Sequence, residues 1–112
     1  MKKQYFINSN IIEPYNSLNE NGGLIISEDG KIEAVGKKVN SNNLPTREKS
    51  IDLKGKHIFP GIVDMRVFVG EPGYEYKENF RTLSNAALSG GVTSVVTMPN
   101  TDPIIDNVSI VD

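Results

Sequence analysis

The segment from residue 62 to residue 98 constrains the fold of this chain most, because its pattern is strand, helix, strand. Residues 62–69, IVDMRVFV, form a nearly continuous apolar run rich in β-branched side chains, which is typical of a strand covered on both faces. From 76 to 89 the apolar period changes to 3.6, and a second β-branched run follows at 92–98. We therefore predict a βαβ unit, with a parallel strand pair and a right-handed crossover.

The predicted helix over 76–89 has one apolar stripe, formed by Phe80, Leu83 and Ala87. Its end is marked by Gly90-Gly91, but no Ser, Thr, Asp or Asn stands at an obvious N-cap position. One βαβ unit cannot cover both faces of its own sheet. The unit is therefore expected to be the opening of a larger α/β architecture.

The residues before this unit predict short strands joined by turns. Brief apolar runs at 5–7 and 11–12 are separated by Asn-Ser-Asn, and a third run at 24–26 follows Gly22-Gly23. Asp29-Gly30 then leads into an alternating run at 31–35, which predicts a β-hairpin closed by a tight primed turn with positive φ angles. The polar segment 36–50 is predicted to be an exposed loop.

Composition excludes several classes of function. Twelve basic and fourteen acidic side chains give a net charge of −2, so the chain carries no electrostatic footprint for nucleic acid or an anionic membrane. It has no cysteine and one histidine, His57, which argues against thiolate sites and most histidine-based chemistry. The start of the chain lacks the apolar stretch of a signal peptide, so we expect a cytoplasmic protein.

Three segments make the chain resemble a known family: IDLKGKHIFPGIVDM at 51–65, GEPGYEYKENF at 70–80, and AALSGGVTSVVTMPNTDPIIDN at 86–107. Together they resemble the N-terminal part of dihydroorotases, which are cyclic amidohydrolases. The hairpin at 22–36 also resembles the small β-domain that precedes the barrel in that superfamily. The resemblance implies an α/β fold, with a small sandwich-type β segment at 1–55 and the opening βαβ unit of an incomplete TIM-type barrel at 56–112.

The resemblance also implies a zinc site, and this chain departs from it. In the family a His-x-His pair follows the DM dipeptide, and an arginine follows shortly after; here those positions hold Arg66, Phe68 and Gly70. Arg66 has no lone pair to offer a cation, and Phe68 has no donor atom. We therefore predict no metal ligand and no catalytic residue in this chain. Of the family's substrate contacts in this region only Asn100 matches, and it is expected to bind a substrate carboxylate.

Several residues keep two interpretations. Arg66 and Phe68 either form a repurposed anion-binding pocket or have drifted into salt-bridge and packing roles. For Asp64 we expect a salt bridge or a hydrogen-bond anchor, and for His57 a structural role. By resemblance the turn at 71–73 is an active-site loop, although any Pro-Gly turn after a strand has the same composition.

These observations support three hypotheses of function. The first is a non-catalytic dihydroorotase-like protein of pyrimidine biosynthesis with an assembly role, for which the resemblance suggests aspartate transcarbamoylase as partner. The second is a fragment of an active metal-dependent cyclic amidohydrolase, and the third is an anion-binding module that uses Arg66 and Asn100. Since an open βαβ unit leaves strand edges unpaired, we also expect a truncated chain that self-associates or pairs with the remainder of the barrel.

Overall fold

The computed structural model of the chain describes residues 2–45 and 49–111. The chain divides into two compact units, Met1–Pro60 and Gly61–Asp112. A short strand at 57–58 pairs with the first strand of the chain, within the first of these units.

The first unit is a five-stranded sheet. Its strands are β1 (Gln4–Glu13), β2 (Leu18–Ile26), β3 (Ile32–Gly36), β4 (Ser50–Asp52) and β5 (His57–Ile58). The neighbours β3, β2 and β1 pair antiparallel in that order, whereas β4 and β5 both pair parallel to β1. The long strand β1 thus holds the two short strands one after the other along its second edge.

Strand β1 is one element, not the two short runs that the sequence predicted. The polar Asn-Ser-Asn segment forms a bulge within it, with a register shift between Phe6 and Ser9. Asn8 occupies the left-handed region at φ 54°, and its carbonyl oxygen accepts the backbone N–H of Gly55 at 2.7 Å. A bulge redirects a strand without ending it, which is why the polar residues do not break the pairing.

The predicted hairpin at Asp29-Gly30 is confirmed, but the turn type predicted for it is wrong. Gly30 has φ 79° and Asp29 does not share the positive angle that a primed turn requires. The backbone N–H of Gly30 donates to Ser27 O (3.0 Å), and that of Ser27 donates to Lys31 O (2.9 Å). This is the longer hairpin loop in which a type I turn is followed by a glycine in the left-handed region.

The core of the first unit includes one residue from the segment predicted to be exposed. Tyr5 and Ile11 of β1 are buried, and so is Val39, which is 3% exposed. Val39 closes over Gly23, where an added Cβ would lie 2.9 Å from a Val39 methyl carbon. The prediction of an exposed loop over 36–50 is therefore wrong at Val39, and also at the two ends, because Gly36 belongs to β3 and Ser50 to β4. Residues 46–48 lie outside the described residues.

The second unit contains the predicted βαβ pattern. Its elements are β6 (Ile62–Val67), α1 (Phe80–Ser89), β7 (Val92–Thr97) and a 3₁₀ turn (Val108–Ile110). Strands β6 and β7 pair parallel, with Ile62 beside Val92 and Val67 beside Thr97, which confirms the predicted parallel pair. No helix among the described residues is long and apolar enough to cross a membrane.

Helix α1 begins four residues later than predicted, because Asn79 caps it. Asn79 Oδ1 accepts the backbone N–H of Thr82 at 3.0 Å, and Thr82 Oγ1 accepts the backbone N–H of Asn79 at 3.1 Å. This reciprocal capping box corrects the expectation that no capping residue is present. Within the predicted stripe Leu83 and Ala87 are half-buried, and the helix ends as predicted at Gly90.

Candidate functional site

The candidate site lies at the edge of the second unit where β6 and β7 end together. Because the two strands are parallel, their carboxyl ends meet at one edge of the sheet. The pair closes with Val67 beside Thr97, and the backbone N–H of Met98 donates to Val67 O at 2.8 Å. Two loops leave this edge: the first loop, residues 68–79, and the second loop, residues 98–107.

The two loops are joined by backbone contacts. The backbone N–H of Asp102 donates to Pro72 O at 3.0 Å. Gly73 lies against the same residue, and a Cβ added there would stand 2.2 Å from Asp102 O. The Pro-Gly turn of the first loop is therefore a fixed contact surface for the second loop, and glycine is required there for close approach.

Asn100 lies near the start of the second loop, and its neighbour Thr101 anchors that loop. Thr101 is 5% exposed, and its hydroxyl donates to Pro103 O at 2.9 Å. Its backbone N–H donates to Pro99 O at 2.8 Å. Asn100 itself is exposed, so the loop presents its amide to solvent from a well-anchored backbone.

Arg66 and Phe68 stand two residues apart where β6 ends. Exposure alternates along the chain, with Arg66 and Phe68 exposed, Val67 half-buried and Val69 fully buried. Phe68 follows the last residue of the strand, and the pairing with β7 is irregular between Asp64 and Val67. These two residues occupy the positions of the His-x-His pair implied by the family resemblance.

Asp64 is a hydrogen-bond anchor for this strand end. Its Oδ1 accepts the backbone N–H of Arg66 at 3.0 Å, at an irregularity in the pairing with β7. The ion pairs found in the described part of the chain, Lys3 with Glu33 and Lys31 with Asp29, both lie in the first unit. Of the two roles expected for Asp64, the structure therefore shows the hydrogen bond and no ion pair with the Arg66 guanidinium.

Aromatic side chains line the first loop. The Phe68 and Tyr74 ring centroids are 6.2 Å apart, and the Tyr74 and Tyr76 centroids are 6.5 Å apart. Lys77 Nζ stands 5.2 Å from the Tyr74 centroid and 5.5 Å from the Tyr76 centroid, within cation–π range. We call Phe68, Tyr74 and Tyr76 the aromatic row. Within this row Phe68 packs against Tyr74.

The carboxylates of the first loop are directed at local donors. Glu71 Oε2 accepts the backbone N–H of Phe80 at 2.8 Å, at the start of α1. Glu75 Oε1 accepts the backbone N–H of Gly73 at 2.9 Å, and this bond lowers the pKa of Glu75. Glu78 accepts the Thr82 hydroxyl. Sequence reasoning missed the role of Glu71, because an acidic residue nine positions before a helix start gives no local signal.

The end of β6 does not fit the zinc that the family resemblance implies. A zinc ligand needs a lone pair on nitrogen, sulfur or oxygen, and a guanidinium and a phenyl ring supply none. The permanent charge of Arg66 also repels a cation. His57 lies in the other unit, in β5, where it lines an apolar recess of about 300 Å³ with Phe6 and Leu24.

Comparison with solved structures defines the fold. An L-hydantoinase (dihydropyrimidinase) from Arthrobacter aurescens superposes with a TM-score of 0.76 and 22% sequence identity, covering 98% of this chain and 23% of that chain. The described residues therefore have the fold of part of that hydantoinase.

Sequence comparison narrows this class to one family. A model of the "Dihydro-orotase-like" family matches residues 55–111. A dihydroorotase of Chlorobaculum tepidum is 43% identical over 102 residues, which cover 91% of this chain and 23% of the relative. One of Aquifex aeolicus is 38% identical over 112 residues, covering 100% of this chain and 25% of the relative. The chain belongs to the dihydroorotase-like family, and it spans about a quarter of the length of these curated relatives.

Proposed function

We propose that this chain is the N-terminal portion of a dihydroorotase-like protein of pyrimidine biosynthesis that has lost hydrolysis and retains a role in assembly. The family and the curated relatives support the first part of this proposal. The loss of hydrolysis is carried by one observation. Arg66 and Phe68 occupy the two sequence positions at the end of β6 where the resemblance implies imidazoles.

The physical argument concerns the charge of the side chains at the end of β6 and the lone pairs that they can offer a metal ion. Two side chains at positions i and i+2 of a strand can converge on one divalent cation, which then activates a water molecule. Neither Arg66 nor Phe68 has a lone pair with which to bind that cation, and the charge of the Arg66 guanidinium repels it. Without the cation, the hydrolytic step has no activated nucleophile at this edge.

The architecture of the complete protein is part of the proposal. Strands β6 and β7 form a two-stranded sheet, and several apolar side chains on it are exposed, among them Val63, Met65, Val95 and Val96. Further strands and helices would cover this surface in a TIM-type barrel, of which this unit would be the opening part. Asn100, at the barrel mouth, is proposed to keep its place in a substrate-type pocket.

Aspartate transcarbamoylase is the partner we propose in the cytoplasm. The resemblance implies this enzyme for dihydroorotase homologues that lack metal ligands. An assembly role also suits a protein that has kept its fold while losing metal ligands, since selection on a surface needs no catalytic centre.

The decisive experiment uses the full-length polypeptide that contains these residues. Metal analysis after purification should find less than stoichiometric zinc, and dihydroorotate should not be hydrolysed above the uncatalysed rate. A transcarbamoylase should co-purify with the tagged protein from its native host. Stoichiometric zinc together with turnover would contradict the proposal and would support the alternative, a fragment of an active metal-dependent cyclic amidohydrolase.

A matched control sharpens the interaction result. The chain carries an exposed tyrosine, Tyr15, in the turn between β1 and β2, and another, Tyr76, in the first loop. If the partner docks on the proposed barrel mouth, Tyr76→Ala should weaken co-purification and Tyr15→Ala should leave it unchanged. Equal effects of the two substitutions would place the docking surface elsewhere.

A further inference from the structure

Strand β2 carries an Asn-Gly dipeptide, Asn21-Gly22, in its middle. This dipeptide is especially prone to deamidation, because glycine has no Cβ to keep its backbone nitrogen away from the asparagine side chain. The backbone nitrogen of Gly22 attacks Asn21 Cγ, and the side-chain nitrogen of Asn21 leaves as ammonia with the Gly22 proton, so that a cyclic succinimide remains. Water then opens the ring at either carbonyl carbon and gives aspartate or isoaspartate at residue 21.

The sheet of the first unit holds this dipeptide within paired backbone. Strand β2 is a central strand, with β1 on one edge and β3 on the other. Asn21 lies opposite Asn10 of β1, and Gly22 lies opposite Ser9. Ser9 is 1% exposed, and its hydroxyl donates to Gly22 O at 2.9 Å. The carbonyl of Gly22 is therefore fixed by a buried side chain.

The end of β3 closes over Gly22 from a further direction. A Cβ added at Gly22 would stand 2.2 Å from Gly36 O and 2.7 Å from Lys37 N. The backbone N–H of Lys37 in turn donates to Glu20 Oε1 at 2.8 Å, which ties the residues after β3 to β2. The peptide that joins Gly36 to Lys37 therefore lies directly against Gly22.

Ring closure conflicts with these contacts. In an extended strand the side chain stands roughly perpendicular to the sheet, away from the following backbone nitrogen. To bring the Gly22 nitrogen onto Asn21 Cγ, the peptide between the two residues must rotate. That rotation breaks the Ser9 hydrogen bond and drives Gly22 against the Gly36-Lys37 peptide. The reaction therefore needs β2 to separate from its neighbours first.

We propose that Asn21-Gly22 is a deamidation site that the intact sheet protects and that marks molecules in which β2 has opened. Isoaspartate lengthens the main chain by one atom in the middle of β2, so the strand no longer matches the register of both neighbours. A molecule that opens and reacts to isoaspartate does not regain the original sheet. The inference is independent of the proposed function, because it rests on contacts within the first unit.

The test compares the folded and unfolded states of the full-length polypeptide that contains these residues. Samples are kept at mildly alkaline pH in buffer and in urea above the unfolding midpoint, and peptide mapping by mass spectrometry measures the conversion of residue 21. Deamidation in buffer should be at least about tenfold slower than in urea, because the rate follows the population of the opened strand. Equal rates in the two solvents would overturn the proposal.

Ser17→Gly provides a matched control in the same chain. Ser17 lies in the exposed turn between β1 and β2 at φ 54°, a conformation that glycine adopts readily, and the substitution places a glycine after Asn16. In this variant Asn16 should deamidate in buffer nearly as fast as in urea, while Asn21 stays protected. Equal protection of the two asparagines would show that strand pairing is not the cause, against the proposal.

Ser9→Ala tests the contact itself. The variant removes the hydroxyl that donates to Gly22 O, and it should raise the rate at residue 21 in buffer about fivefold while leaving the rate in urea unchanged. Circular dichroism confirms that the variant is folded. An unchanged rate in buffer would show that the buried hydroxyl does not hold the dipeptide closed, and it would refute the protection argued from this contact.

Discussion

Gly73 lies so close to Asp102 that the two loops at the end of the parallel strand pair leave no room for a side chain between them. A Cβ at Gly73 would stand 2.2 Å from the carbonyl oxygen of Asp102, and Gly73 also has φ 95°. The neighbouring bond from the Asp102 N–H to Pro72 O completes the contact. The Pro-Gly turn therefore positions the loop that carries Asn100.

The first prediction tests this contact. Gly73→Ala should destabilise the protein by about 2–4 kcal/mol, from left-handed strain and from displacement of the second loop. Gly91→Ala is the control, because Gly91 has a similar φ of 81° but nothing within 4 Å of the added Cβ. It should cost about 1–2 kcal/mol. Urea unfolding of both variants measures the difference, and equal losses would show that the close approach carries no cost.

The second prediction concerns the start of α1. Asn79→Ala removes the acceptor of the Thr82 N–H and should reduce the free energy of unfolding by about 1 kcal/mol. The matched control is Asn85→Ala at an exposed position within the helix, where alanine raises helix propensity and should be neutral or slightly stabilising. Thermal unfolding of both variants checks the sign of the change in the free energy of unfolding. A neutral Asn79→Ala would mean that solvent or Glu71 replaces the cap.

The third prediction is a pH dependence at the β1–β2 turn. Glu13 accepts backbone N–H groups from Asn16 (2.8 Å) and Tyr15 (2.9 Å), and these bonds, with that of Asn16 first, lower the pKa of Glu13 below its ordinary 4.5. A carboxyl whose folded-state pKa is lowered stabilises the fold above its unfolded pKa, and this contribution is lost as the pH falls through the folded value.

Glu13→Gln should therefore flatten the fall in stability as the pH drops below 4.5. Urea midpoints measured across that range for the wild type and the variant test this. Glu28→Gln, at an exposed position of the β2–β3 turn, is the control and should keep the wild-type slope. If both variants follow the wild-type curve, the turn hydrogen bonds do not discriminate between the two protonation states.

The fourth prediction restores metal ligands. In the full-length polypeptide, Arg66→His combined with Phe68→His should raise zinc affinity, because two imidazoles on one strand face can converge on the ion. Arg66→Gln with Phe68→Leu is the control that removes the charge without adding ligands. Zinc titration distinguishes the two double variants. Equal affinities would mean that ligands elsewhere have also decayed, or that residues 66 and 68 do not share a face.

The fifth prediction concerns association of the 112-residue chain. The sheet of β6 and β7 has two strands, and apolar side chains such as Met65 and Val96 remain exposed on it. Unpaired strand edges and exposed apolar surface favour association, so we expect a dimer or higher oligomer. Sedimentation at micromolar concentration measures this. A single monomeric species with a cooperative unfolding transition would contradict it.

Local patterns in the sequence predicted much of this fold. The apolar period over residues 76–89 and the β-branched runs beside it indicated the βαβ unit, and the Asp29-Gly30 turn indicated the hairpin. Gly90-Gly91 marked the end of α1. These features were predictable because each depends on residues close together in the chain, through helix periodicity, strand alternation and turn conformation.

The candidate site was only partly predictable in this way. The spacing of Arg66 and Phe68 predicts that they share a face, and the resemblance implies metal ligands at these two positions. The capping role of Glu71 and the burial of Thr101 did not follow from either. The first depends on how the first loop folds back onto the start of α1, and the second depends on which atoms pack over Thr101. Short-range patterns do not encode either.

The sequence by itself determined the strand and helix types, the turn positions, and the absence of metal-ligating side chains at residues 66 and 68. Tertiary structure decided the parallel pairing of β4 and β5 with β1, the burial of Val39, and the contact of Gly73 with Asp102. The physical reason is the distance along the chain over which each effect acts. Propensity and periodicity act over a few residues, whereas pairing register and close approach depend on long-range contacts between segments far apart in the chain.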